Sequence, residues 1–171
     1  MKNILVFFLF LFCLSCSSSS NNKKTTISLD CPQVLYSTED KQYVDTDGDI
    51  LTVENLSFKA EINNHVFYSS CTITEDVNSF PLEILFIAKP LSISSNEIIL
   101  PVYSALLDKE DRVIDVQYFS IDGQVNKDFE TENYIETELS KKINIITKTQ
   151  VEISKIIIGF MIDKKRKEFL N

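Results

Sequence analysis

The stretch Leu56-Ser57-Phe58-Lys59-Ala60-Glu61-Ile62 decides the fold. Leu56, Phe58, Ala60 and Ile62 fall on one side of a period-two pattern, and Ser57, Lys59 and Glu61 on the other. Side chains of an extended chain alternate between two faces, so this pattern describes an antiparallel strand with one face buried and one in water. Asn63-Asn64 follows and reads as a two-residue connection, with His65–Thr74 returning as the hairpin partner. Downstream, Phe80, Leu82, Ile84, Phe86 and Ala88 repeat the alternation until Pro90 and the run 92–96 break it. Glu97–Leu107 and Val113–Ile121 form a second hairpin around the charged turn Asp108–Arg112, and Asp122-Gly123 reads as a further turn.

The remaining segments fit the same scheme. Cys31-Pro32 opens a first strand through Val34, Leu35 and Tyr36. Tyr134–Lys142 reads as a strand, although Glu132–Ser140 is also compatible with a helix. Val151–Ile162 is almost entirely β-branched and apolar, the pattern of a central strand covered on both faces. Gly159 within it marks a bulge, a close backbone approach or a small residue beside a bulky aromatic. Asp163 is placed to cap a short terminal helix through Leu170. Seven or eight strands, no long helix and no βαβ rhythm predict an all-β antiparallel sandwich, immunoglobulin- or fibronectin-like in arrangement.

Composition agrees. The 171 residues are 44 % hydrophobic and 25 % charged with three Gly and four Pro, which suits one globular domain plus a targeting segment. A net charge of −8 sets the chain against phosphate backbones, so no nucleic-acid partner is expected. The basic run Lys164-Lys165-Arg166-Lys167 reads as a solvated helix face, with contact to anionic headgroups as its functional alternative.

The N-terminal end reads as an address. Lys2 is followed by an uncharged run from Ile4 to Leu14, too short for the roughly 20 residues of a membrane span but suited to the apolar region of a signal peptide. Leu14-Ser15-Cys16 closes it in the manner of a lipobox, which makes Cys16 the first mature residue and the lipidation site. Cys13 stands where such boxes usually carry Leu, so cleavage near Ser15 with simple secretion, or an uncut anchor, remain the alternatives. The expected division is therefore a lipoprotein signal peptide over 1–15, a flexible Ser/Asn/Lys tether over 16–28 and the sandwich over 29–171. Two acyl chains, at about 0.8 kcal/mol per buried methylene, suffice for stable attachment. Ser17 after the Cys favours the outer membrane, facing the periplasm, with a soluble periplasmic or secreted protein as the alternative.

With Cys13 removed and Cys16 acylated, Cys31 and Cys71 remain. Two cysteines outside the cytoplasm invite one disulfide, the alternative being a redox or metal-binding pair. There is no CxxC, and a single His65 limits any zinc site.

In these features the chain resembles a group of small, uncharacterised alphaproteobacterial lipoproteins. The resemblance rests on the lipobox-like start, Cys31-Pro32 with Val34-Leu35, Phe58, Ala60 and Ile62 ahead of Cys71, and Ile158-Gly159-Phe160 ahead of a polar tail ending at Asn171. It implies an envelope lipoprotein with a paired-Cys β domain and carries no activity, substrate or catalytic residues.

No catalytic set emerges. His65, beside the Asn63-Asn64 connection, reads as a solvated residue, and GxSxG, HExxH and phosphate-binding Gly loops are missing from the sequence. Asp45, Asp47 and Asp49 flank Gly48 and are the candidates for a calcium site, but Ile50 and Leu56 occupy the positions where an EF-hand needs Gly and Glu. An exposed acidic turn without metal is the expectation. The functional expectation is a membrane-anchored, non-catalytic interaction or structural module. It has no cofactor, and its partners are the lipid bilayer and another envelope protein. A calcium- or small-ligand-binding lipoprotein and a carboxylate hydrolase are the alternatives.

Overall fold

The computed structural model describes residues 25–46, 48, 51–91 and 97–170. Ten strands appear in this order: β1 (Thr26–Leu29), β2 (Gln33–Tyr36), β3 (Gln42–Thr46), β4 (Leu56–Phe67), β5 (Cys71–Thr74), β6 (Val77–Pro90), β7 (Glu97–Leu107), β8 (Val113–Gln124), β9 (Thr137–Lys148) and β10 (Lys155–Phe160). A short helix α1 (Lys164–Leu170) follows. One sheet runs β1-β5-β6-β4-β3 with β9 on the other side of β6, and the second runs β2-β10-β7-β8. Every pairing is antiparallel except that of β2 with β10. The fold is the expected all-β sandwich, with ten strands where seven or eight were expected. The difference comes from short strands: β1 begins at Thr26, inside the stretch read as tether, and β3 forms between Tyr36 and Leu56, where no strand was expected.

The spine of the first sheet is β6, paired with β9 from Val77 to Ala88 on one side and with β4 and β5 on the other. This corrects the reading of Asn63-Asn64 as a hairpin connection. The chain runs straight through them, because the register of β4 against β6 shifts between Ile62 and Asn64 instead of reversing. One extra residue makes a β-bulge, and a bulge exchanges the faces of everything after it. Phe58, Ala60 and Ile62 point inward before it, and His65 points inward after it, opposite the buried Ile84. The true turn of this hairpin lies at Glu75-Asp76, where Glu75 takes the positive φ (57°). Between β4 and β5 the ladder is interrupted opposite Pro81, which has no N–H to donate; its carbonyl accepts the Tyr68 N–H at 3.1 Å.

The second hairpin stands as expected: β7 and β8 pair from Glu97–Gln124 to Leu107–Val113 around the Asp108–Arg112 turn. The turn expected at Asp122-Gly123 is instead the end of β8, where Gly123 pairs with Ile98. Its missing side chain has a physical reason, since a Cβ there would sit 2.5 Å from a Leu139 methyl of β9. The segment of mixed promise before Lys142 is β strand from Thr137 onward. Asp163 caps α1, its carboxylate accepting the Arg166 N–H at 2.9 Å.

Inward residues of both sheets build one core in which Phe58, Phe80, Leu82, Ile84, Phe86, Ile98, Leu100, Ile156, Ile158 and Phe160 are fully buried. Phe160 of β10 stacks at a tilt between Tyr43 and Phe86 of the other sheet, with ring centroids 5.6 and 5.9 Å away. A Cys31–Cys71 disulfide with Cα atoms 5.3 Å apart ties the sheets where the chain leaves β1 in the first and enters β2 in the second.

Candidate functional site

Of the candidate residues, Cys16, Asp47 and Asp49 lie outside the described residues. Asp45 is the penultimate residue of β3 and faces Arg166 of α1 at 3.5 Å, so its charge is already opposed by a cation. Among the described residues there is no group of three or more His, Cys, Asp or Glu placed to hold a metal ion. The basic run on α1 is largely engaged: Arg166 pairs with Asp163 and Asp45 and donates to the Val44 carbonyl at 3.0 Å. Lys167 pairs with Glu39 and Asp40, and Lys164 with Glu168 at 3.7 Å. The contacts of Arg166 with Asp45 and Val44 and of Lys167 with Glu39 and Asp40 strap the helix to the sandwich.

His65 is not the solvated turn residue expected. The bulge turns it inward, and its Nδ1 meets the Tyr36 hydroxyl at 2.6 Å, a hydrogen bond from one sheet to the other. Burial lowers its pKa below the ordinary 6.5, favouring the neutral ring.

The outer face of the first sheet carries a shallow groove of about 330 Å³ over the bulge, lined by Asn64, His65, Val66, Glu83, Leu85 and Ser140. Glu83 accepts from the Ser140 hydroxyl at 2.5 Å and lies 3.9 Å from the Lys142 ammonium, which also sits over the Tyr68 ring at 5.4 Å. Every cross-strand row on this face includes a polar or charged residue: Glu61–Ile87–Glu138, Asn64–Leu85–Ser140, Val66–Glu83–Lys142. Glu83 is the one carboxylate lining the groove.

The outer face of the second sheet is chemically opposite. Register places Leu35, Ile157, Ala105 and Val116 side by side across all four strands. The next row holds Gly159, Tyr103 and Tyr118. Tyr103 lies so close over Gly159 that an added Cβ would come within 2.7 Å of its ring, and its hydroxyl donates to Asp40 at 2.9 Å. Of the alternatives read for Gly159, the small residue beside an aromatic is the one realised. Tyr118 is 66 % exposed and Ile99, further along the face, 55 %. The sequence reading took Val151–Ile162 as covered on both faces. The structure covers Ile156, Ile158 and Phe160 on the inner side and leaves Ile157 and Met161 on an outer side that no described element overlies. Sequence reasoning missed this face, although its signal was present: β10 is apolar at both parities.

No protein-family model matches the chain, and no curated protein or solved structure matches it either. No helix among the described residues is long and apolar enough to cross a membrane.

Proposed function

We propose that this chain is an envelope lipoprotein, acylated at Cys16 and held at a membrane, whose β-sandwich works as a non-catalytic interaction module. The observation that carries the anchor is Leu14-Ser15-Cys16 at the end of an uncharged apolar run, followed by a polar stretch of Ser, Asn and Lys. Two acyl chains supply stable attachment where one does not. A disulfide-closed domain suits an oxidising compartment outside the cytoplasm. The interaction role is supported by the row Leu35–Ile157–Ala105–Val116, exposed at its two ends and half-buried between them, because a contiguous apolar surface on an outer face marks a binding face more often than idle surface.

The test is metabolic labelling with a palmitate analogue in cells expressing the full chain. Label is expected on the protein and missing from Cys16→Ser, with the unmodified mass recovered for the variant. An unlabelled parent protein whose Cys16 thiol reacts freely overturns the anchor.

A further inference from the structure

We infer that the outer face of the β2-β10-β7-β8 sheet is a self-association surface, occupied by the same face of a second copy of this chain. The inference deepens the interaction-module reading and rests on that part of it; it does not depend on the lipid.

Three observations converge. The first is composition by register. Leu35, Ile157, Ala105 and Val116 make an unbroken apolar row across the sheet, flanked by Tyr103 and Tyr118 and extended by Pro101, Met161 and Ile99. The second is shape and size. Sheet faces pack on sheet faces at about 10 Å with their strands aligned within about 30°, so the natural complement of this surface is another sheet. Strands of 4, 6, 11 and 12 residues, at about 4.8 Å by 3.4 Å per residue, present a footprint of roughly 540 Å². A twofold pair would cover roughly 1,100 Å² before side-chain relief is counted, just past the ~1,000 Å² that a specific interface needs. The third is charge. A chain of net charge −8 repels its own copies, and association is possible only through a face that brings few free charges together. At the end of the face beside the Asp108–Arg112 turn the charges are already matched, Lys155 with Asp111 at 2.6 Å and Arg112 with Asp108 at 2.7 Å, while at the far end Asp122 stands beside Ile99 and accepts from the Ser120 hydroxyl at 3.2 Å. The first sheet carries more charge through the middle of its face, where Glu61, Glu83, Glu138 and Lys142 stand in its rows.

An isologous arrangement follows, in which the apolar row of each copy crosses that of its partner. If both copies are tethered to one membrane, confinement raises their effective concentration and favours the pair.

The experiment is photo-crosslinking in cells expressing the full chain, with p-benzoylphenylalanine at position 118 on the proposed face or at position 142 on the opposite one. Two differently tagged copies are co-expressed. The expected result is an adduct of twice the chain mass carrying both tags, at least tenfold stronger from position 118 than from 142. Adding Ile157→Glu, or separately Leu35→Gln, is expected to cut that adduct at least tenfold while the melting curve stays cooperative. Equal yields from both positions, no two-tag adduct, or adducts only with lipid or another protein would each overturn the inference. A hetero-adduct from position 118 would leave the interaction-module reading standing while refuting self-association, and loss of palmitate label with a persisting two-tag adduct would do the reverse for the anchor.

Discussion

The two sheets of this sandwich share a core but face the outside differently. On the first, each strand alternates as a wet sheet should: Glu83 between Leu82 and Ile84, Lys142 and Ser140 on β9, Lys59 and Glu61 on β4. On the second, Ile157 stands between Ile156 and Ile158, and Val116 faces out with Tyr118. Both inner faces obey one rule, the removal of apolar surface from water at about 25 cal/mol per Å². The outer faces obey no shared rule, so their difference carries information about use. An apolar outer row gives an isolated domain no folding advantage and exposes it to aggregation.

The largest expected effect comes from separating the two sheets. The disulfide closes a span of 40 residues at the crossing from β1 to β2, and the chain-entropy model gives such a link about 4 kcal/mol. Replacing Cys31 and Cys71 together by Ser should lower the stability measured in urea by that order, with part of it recovered through compact denatured states. A double variant as stable as the parent would mean that the aromatic contacts of Phe160 with Tyr43 and Phe86 hold the sheets together unaided.

A sharper comparison lies within β10. Ile158→Ala removes a fully buried side chain and should cost about 3 kcal/mol. Ile157→Ala, one residue away on the outer face, should cost about 1 kcal/mol or less in dilute protein. That gap should narrow as concentration rises if a second copy covers Ile157. A gap of the same size at every concentration would leave the outer row with no thermodynamic partner.

What the sequence disclosed follows from which interactions are local. Alternation along one strand is local, and Phe58–Ala60–Ile62 and Phe80–Ala88 gave the sandwich and most of its core. The count of cysteines, together with the expectation of export, pointed to the Cys31–Cys71 disulfide. The bulge at Asn63-Asn64 was misread because the same polar pair serves a turn or a bulge, and only the partner strand β6 decides between them. That error hid the inward turn of His65. Gly123 was misread similarly: Asp-Gly suits a turn in isolation, but Leu139, sixteen positions on in sequence, needs the space. The outer apolar row was invisible because its four members belong to four strands whose neighbour order, β2-β10-β7-β8, is set by long-range pairing. Cys16, the residue on which the proposed anchor rests, and two of the three acidic-turn candidates lie outside the described residues.

The smallest predicted effect concerns the second tie between the sheets, the Tyr36–His65 hydrogen bond, which differs from the disulfide in responding to pH. Burial holds the His65 pKa below its ordinary 6.5. The unfolded chain therefore takes up a proton at a higher pH than the folded one. The stability contributed by the neutral ring is complete above 6.5 and is lost as pH falls below it toward the folded value. The carboxylates shift in a separate window. At Asp108 burial acts upward, but hydrogen bonds from Arg112 and Glu110 prevail and lower the pKa; at Asp163 the Arg166 N–H leads in lowering it. Both contributions are present above the ordinary 3.8 and vanish only as pH drops through lower values. Melting curves between pH 7.5 and 5 should then show a modest loss in the parent that His65→Gln flattens, while the steeper loss below pH 3.8 persists in both. Tyr36→Phe should cost about 1 kcal/mol at pH 7.5, the worth of one partly buried hydrogen bond. If the variant and parent lose stability equally between pH 7.5 and 5, the acid sensitivity resides elsewhere, and the inward turn created by the bulge does not couple the sheets.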